Sequence, residues 1–446
     1  MADEGRDGDD DATATADERS SSHNLCKTKE SGDSSESVVD LISSMPDDIL
    51  QHILSFIPTR FAISTSILSR RWRHVWSDPP YLHFYEDRPD ADSINKILAR
   101  NKAPKIMSFR LRTSNLDDSA DLDSWIKFAL SRNVENLSLD LEWGFFNIPQ
   151  LLYVSSSVKL LSVKSSLSDM IPKCSVSWTS LKKLSLFSCN LSDESIANIL
   201  SGCPILEKLR LHYCDGLTKV LDLSKSPRLK TFVVYNDNYW PGPTKIVAPH
   251  IRCLGLRTSP LLCHLVDFLS LTEANVEISC ISEEDIPDAD SLYIMALEML
   301  DKYQNVETLS FGDNFLKILS LAELRGSLFP KFKVKALTIE TTVSHYIIPG
   351  IVRLLQNSPE LKKLTFVDTG DHNCIPDSYI DENLFSHGLD PDQYWSSEAR
   401  VFKNTTPLWS LEAQAVVLFI ELVLKTTKTL EKMVLSAYSK QQMSPL

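Results

Sequence analysis

The sequence predicts an α/β chain: a compact module of three short helices near the N-terminus, then an irregular solenoid of strands. Three observations predict it. A phrase made of an apolar residue, two polar residues and then Leu-x-Leu or its equivalent recurs from about residue 106 onward. Ahead of it, residues 39–84 carry a dense run of Ile, Leu and Trp at helical spacing, punctuated by prolines. The 446 residues are 43% hydrophobic and 24% charged, an ordinary balance for a soluble protein on a chain too long for one core.

Residues 1–38 read as an acidic tail. The first 36 positions hold eleven acidic and four basic side chains, −7 of the formal −13, and almost nothing apolar. Such a segment cannot offset its ordering entropy and is expected to be disordered. An acidic start lacks the basic flank and apolar run of a secretory signal. The longest apolar stretch, residues 413–424, is short for a membrane span and contains Glu421. The glycosylation-like triplets at Asn136, Asn190 and Asn404 are read as chance. The chain is expected in the nucleus or cytoplasm, with no membrane partner. Its acidic balance argues against nucleic acid, which needs a basic surface.

In the module at 39–84, Ser44 is read as a helix cap and Pro46 as a first-turn residue, whose missing N–H has no intrahelical partner there. Asp47 and Asp48 suit the positive end of the helix dipole. Ile49, Ile53, Leu54, Phe56 and Ile57 form one apolar stripe, and Pro58 ends the helix. A second short helix fits residues 61–68. In a third, from Ser69, Trp72 and Trp76 lie four apart on one face before Pro79 and Pro80 stop it. About 45 residues in three short helices cannot bury this much apolar surface, so an exposed remainder marks a partner site. The cluster Arg70-Arg71-Trp72-Arg73-His74 is read as a solvated helix face, because no second basic stripe accompanies it.

The run Met45-Pro46-Asp47-Asp48-Ile49-Leu50, then Ile53-Leu54-Ser55-Phe56-Ile57-Pro58-Thr59, then Leu68-Ser69-Arg70-Arg71-Trp72-Arg73-His74-Val75-Trp76 resembles an F-box of the plant kind. Met45 and Ile57 stand where Leu is usual, and each keeps an apolar side chain of similar volume. The resemblance implies a docking surface for the Skp-type adaptor of a cullin ubiquitin ligase. By position it implies adaptor contacts from Met45, Pro46, Ile49, Ile53, Leu54, Ile57, Pro58, Leu68, Ser69, Trp72 and Trp76.

Residues 85–370 carry the repeats. The phrases starting at Val134, Val158, Leu181, Leu206, Leu229 and Ile251 are spaced by 24, 23, 25, 23 and 22 residues, the period of leucine-rich repeats. Weaker copies start at Ile106, Val306, Val334, Leu361 and Leu430. Leu184 and Leu186 alternate on a short strand and stack on Leu209 and Leu211 of the next copy. A helical return is expected between strands, clearest at residues 191–200, with Ser192 or Asp193 as its cap and Gly202-Cys203-Pro204 as its stop. One unit cannot bury its own leucines, so neighbours are needed.

The column between leucines, Asp140, Lys164, Phe187, His212, Tyr235 and Arg257, should face outward on the concave sheet and is the candidate target-binding row. Some plant F-box leucine-rich proteins hold a hormone and an inositol phosphate over a basic cluster, which this row does not supply. The phrase is lost between 271 and 305, where an inserted loop is expected near residues 283–290. A second irregular insertion spans 371–410. Residues 411–446 resemble the close of the FBD region of plant F-box proteins, or else form a unit capping the solenoid.

Nine cysteines, odd in number and with no C-x-x-C pair, exclude a zinc domain of the ubiquitin-transferring kind. Cys189, Cys203, Cys214 and Cys253 are read as small buried apolar residues. No nucleophile, phosphate-loop, dinucleotide or zinc-hydrolase motif is present, so no catalytic residue, metal or cofactor is assigned. The expected role is that of a non-catalytic substrate receptor: the module meets the adaptor and, through it, cullin, and the solenoid holds a target protein. The alternative is a binding scaffold that carries an F-box-like module outside any ligase.

Overall fold

Segments with apolar side chains at alternate positions pair side by side into one parallel sheet. The strands in chain order are β1 (Tyr81–Tyr85), β2 (Ser108–Thr113), β3 (Asn136–Leu141), β4 (Leu160–Ser165), β5 (Lys183–Phe187), β6 (Lys208–His212), β7 (Val220–Asp222) and β8 (Thr231–Tyr235). They continue as β9 (Lys245–Val247), β10 (Cys253–Thr258), β11 (His264–Val266), β12 (Glu273–Ile278), β13 (Thr308–Gly312), β14 (Ala336–Glu340), β15 (Lys363–Asp368) and β16 (Lys432–Ala437). Thirteen of them make the main sheet, in the order β1-β2-β3-β4-β5-β6-β8-β10-β12-β13-β14-β15-β16. This computed structural model describes residues 41–76, 79–85, 90–113, 119–141, 148–165, 169–236, 242–258, 263–279, 286, 288–369, 375–389 and 413–437. The acidic tail lies outside them. The chain divides into two units, residues 1–46 and 47–446. Of the first, the structure describes the helix Leu41–Ser44 and the Met45-Pro46 that follows.

The leucine columns do what their spacing implies. Leu137, Leu161, Leu184, Leu209, Phe232 and Leu254 occupy one register position, and Leu139, Val163, Leu186, Leu211, Val234 and Leu256 another. All are buried. Burying each such side chain contributes about 1.5–3 kcal/mol, and each needs the strand beside it to do so.

Several sequence expectations are corrected. β1 lies inside the span read as purely helical, so the sheet begins at Tyr81. β12 is a regular strand of the main sheet in the stretch where the phrase was thought lost, with Ala274, Val276 and Ile278 in place of leucines. The stretch read as a loop near 283–290 runs into the helix Ala289–Lys302, capped by Asp288 at the Ser291 amide; residues 280–285 and 287 lie outside the described set. Not every return is helical. β7, β9 and β11 replace the helix in three successive repeats and form their own three-stranded parallel sheet. Pro227 falls in the first of those stretches, Pro241, Pro243 and Pro249 in the second and Pro260 in the third, and they disfavour a helix there. Where a helix does form, at Asp193–Ser201, Ser192 caps it with reciprocal bonds to Ser195. Ser44 is the last residue of the helix Leu41–Ser44, and the next helix runs Asp47–Leu54, so Pro46 lies just before it in sequence and not in its first turn.

The span read as an irregular insertion contains a helix. Helix Asp377–Ser386 buries Ile380 and Leu384, and Lys317, 1% exposed, donates to the Ile375 carbonyl and to Asp377, both at 2.8 Å. Helix Asp313–Leu324 is buried on nearly all sides, packed mainly against the helices Ala289–Lys302 and Ile348–Gln356. β16 then pairs with β15 in register, so the C-terminal segment supplies the last strand of the same sheet. Residues 390–412 and 438–446 lie outside the described set.

The first strand's free edge is met by the helical module. The His83 amide donates to the Thr59 hydroxyl at 2.7 Å, and both residues are buried. An unpaired edge amide is thereby satisfied by a side chain. Thr59→Val keeps the shape and removes the acceptor. It is expected to cost about 1–3 kcal/mol, read by denaturant unfolding, with faster amide exchange confined to residues 81–85; an unchanged midpoint would contradict this role for Thr59.

Candidate functional site

Two surfaces carry the residues singled out in the sequence. The first is the helical module. Helix Asp47–Leu54, helix Thr59–Ser64, the 3-10 turn Thr65–Ile67 and helix Arg70–Val75 surround a small interior of Leu50, Leu54, Ala62 and Val75. Arg71 reaches back to the Asp47 carboxylate at 2.7 and 2.9 Å and ties the first of these helices to the last. Ser69 accepts from the Trp72 amide at 3.4 Å as the last helix starts.

The apolar stripe expected on the first helix is two faces. Leu50 and Leu54 point inward, whereas Ile49 and Ile53 remain exposed. Leu54, expected to face the adaptor, belongs to the interior instead, because it lies four residues from Leu50 on the same side. Phe56, Ile67 and Leu68 are 75%, 85% and 65% exposed, and Phe61 is exposed beside them in sequence. His52 holds Phe56 edge-on at 5.0 Å between ring centroids. Ile57, Pro58, Trp72 and Trp76 are half-buried, and Ser69 is exposed. Pro46 is exposed and Met45 half-buried in the separate unit. Phe61 and Ile67 were not among the residues read from the sequence.

The second surface is the open face of the main sheet. Asp140, Lys164, Phe187, His212, Tyr235 and Arg257 stand in one register row across β3, β4, β5, β6, β8 and β10. Each is half-buried while its strand neighbours are buried, the alternation of a one-sided sheet. Asp140 lies between Lys164 at 3.2 Å and Arg112 at 3.6 Å. Phe187, His212 and Tyr235 follow as a ring series with centroids 4.6 and 4.4 Å apart. Burial, with Arg210 nearby, pushes the His212 imidazole down to about 4.

The row extends beyond the sequence reading to Arg112 on one side and Glu277 on the other. Glu277 was missed because β12 was missed. Its carboxylate fills the space left by the absent side chain of Gly312. Burial and the neighbouring Asp313 carboxylate push Glu277 up to about 8, against an opposing pull from Arg257. Glu340 accepts from Ser310 at 2.8 Å and from Asn275 at 3.5 Å. The cysteines divide: Cys189, Cys203 and Cys214 are buried as expected, but Cys253 is half-exposed at the start of β10, its thiol 3.4 Å from Glu273. Among the described residues no three His, Cys, Asp or Glu side chains gather as a metal-holding group, and no helix is long and apolar enough to cross a membrane.

Comparison with known proteins matches both surfaces to known domains. Residues 42–84 match the F-box domain. Residues 122–366 match the leucine-rich repeats described for "FBD-associated F-box protein At5g56370". The chain is 56% identical over 409 residues to "F-box/LRR-repeat protein At3g03360" of Arabidopsis thaliana, covering 89% of this chain and 84% of that protein. It is 53% identical over 404 residues to "Putative F-box/LRR-repeat protein At3g18150", with 89% and 86% covered. To "F-box/LRR-repeat protein At5g02910" it is 46% identical over 412 residues, with 90% and 89% covered, both from the same plant.

The buried titrating groups set a pH dependence. His83, pushed down to about 4 by burial and Arg110, and His212 stay neutral in the fold. The unfolded chain protonates both below 6.5, so their contribution falls as pH drops from 6.5 towards 4. Glu277 keeps its proton in the fold but loses it above 4.5 when unfolded, so its contribution falls as pH rises from 4.5 to about 8. Below 6.5 two imidazoles outweigh one carboxyl, and above it the carboxyl acts alone; among these three groups stability peaks near pH 6.5. Glu277→Gln should flatten the alkaline side, removing a slope of at most about 1.4 kcal/mol per pH unit. Denaturant titrations between pH 6.5 and 8 that run parallel for both proteins would contradict the burial of a protonated Glu277.

Proposed function

Because this chain belongs to the plant F-box/leucine-rich-repeat family, with the ubiquitin-ligase substrate-adaptor type of role that its domains support, we propose that it is the target-recognition subunit of a Skp–cullin–F-box ubiquitin ligase. The observation that carries this is the outward apolar face of the helical module. Ile49, Ile53, Phe56, Ile67 and Leu68 stay exposed although the module has its own interior and is already packed on β1. Keeping that much apolar surface in water is costly unless a partner covers it. A Skp-type adaptor is the proposed partner, with Ile57, Pro58, Ser69, Trp72 and Trp76 of the same module adding to the contact; Leu54 acts from inside, by holding the helix.

Cullin joins through the adaptor, and the open face of the sheet holds a target protein. The chain contributes proximity, not chemistry: a target lysine held beside a charged conjugating enzyme reacts as if at high local concentration. Other subunits carry the bond-making step, in the nucleus or the cytoplasm.

Co-expression with a plant Skp-type adaptor and size-exclusion chromatography test this. The wild-type chain is expected to elute in a one-to-one complex. Ile53→Asp with Leu68→Asp, both at exposed positions, should weaken it about a hundredfold or more while the variant stays folded; Leu54→Asp should instead unfold the module. A folded, monodisperse wild-type chain that ignores the adaptor would overturn the ligase reading and leave a binding scaffold.

A further inference from the structure

The open face is segregated by charge, against the composition of the chain. The formal charge of the protein is −13. Yet the two inner rows of the open face, from β2 to β10, carry five cations, Arg110, Arg112, Lys164, Arg210 and Arg257. The one carboxylate in those rows is Asp140, bracketed by Arg112 and Lys164. The cations stop at the next strand. Glu277, which keeps its proton, stands beside Arg257 in register, and Glu340 lies two strands further on.

Within the row from Arg112 to Arg257 the middle is aromatic and uncharged. Phe187, His212 and Tyr235 form a continuous ring series, and His212, held down to about 4, is neutral at physiological pH. Two polar atoms along it, His212 Nε2 and Arg257 Nε, are buried with no hydrogen-bond partner among the described residues. A surface that places apolar rings between cations is complementary to a polypeptide with the opposite pattern. Six inter-strand steps separate β2 from β10, about 29 Å at the usual strand spacing, which an extended chain spans with about nine residues.

We propose that the open face from β2 to β10 holds an extended acidic segment of a target protein. An aromatic or large apolar side chain of that segment sits on Phe187, His212 and Tyr235, and its acidic run ends past Arg257, the last cation of the two rows before Glu340. This inference rests on the reading of the chain as a target receptor and names the chemistry of the target. Glu340, fixed by Ser310 and Asn275, marks the far limit of the acidic run, because a further carboxylate there meets a like charge.

The test uses the full-length chain and fluorescein-labelled twelve-residue peptides in anisotropy titrations at low and high salt. One peptide is Glu and Asp with a single central Phe; a second has Ala for that Phe; a third has Lys for every acid. The first is expected to bind, more weakly at high salt and at least fivefold more weakly without its Phe, and the Lys peptide is expected not to bind. Arg210→Glu with Arg257→Glu should lower affinity at least tenfold, and Arg100→Glu, on the exposed end of helix Ala91–Arg100, should leave it unchanged. Equal binding of acidic and basic peptides, no binding of either, indifference to the face substitutions, or displacement of the peptide by a single-stranded oligonucleotide would overturn the proposal. Adaptor complex formation by the same variants separates the two failures. Retained adaptor binding with no acidic preference sinks the target chemistry alone, whereas absent adaptor binding sinks the receptor reading itself.

Discussion

Each strand of the main sheet offers two apolar side chains to one face and can bury them only against the strands on either side. That dependence organises the rest of the structure. It forces the repeats into register, because Leu184 and Leu186 are covered by Leu161 and Val163 on one side and by Leu209 and Leu211 on the other. It tolerates large changes in the return segment, helix in one repeat and short strand in the next, so long as the apolar pair comes back at the same level. It also makes the ends of the array special, since a terminal strand lacks one neighbour. At the first end the helical module supplies it, with Thr59 accepting from His83. At the other, β16 returns after the insertion to pair with β15, and Leu435 on it is left exposed.

The same constraint builds the open face. Once the inward columns are in register, the side chains between them are in register too, without further specification. Arg112, Asp140, Lys164, Phe187, His212, Tyr235, Arg257 and Glu277 are far apart in sequence and adjacent in space for that reason alone. The two binding surfaces thus have different origins. The open face is read off a rigid array, while the helical module keeps apolar side chains outside because its few residues leave no inside for them. Thr59 sits where the two meet, so a partner on the module and a partner on the sheet are held by one continuous body from Asp47 onward.

Much of this was legible in the sequence wherever leucine itself marked the repeat. The row from Asp140 to Arg257 follows from taking the residue just after each Leu-x-Leu or its equivalent. Legibility failed where another residue did the same work. β12 buries Ala274, Val276 and Ile278, an alternation too plain to resemble the repeat phrase, and Glu277 was lost with it. β1 was hidden because Tyr81 to Tyr85 follow directly on the helical module. Helix Asp47–Leu54 is apolar on two sides, so spacing alone could not separate Leu50 and Leu54, inside, from Ile49 and Ile53, outside. The helix within the insertion is tied down by Lys317 reaching Ile375 and Asp377, a contact between residues some sixty positions apart that no local pattern announces.

The most direct test of the central claim, that the module's outward apolar face is a docking surface distinct from the open face of the sheet, is hydrogen–deuterium exchange of the full chain with and without a Skp-type adaptor. Slowed exchange is expected within residues 47–76, strongest around Ile49, Ile53, Ile67 and Leu68, with strands β3 to β10 unchanged. Protection on those strands with none in 47–76 would contradict it.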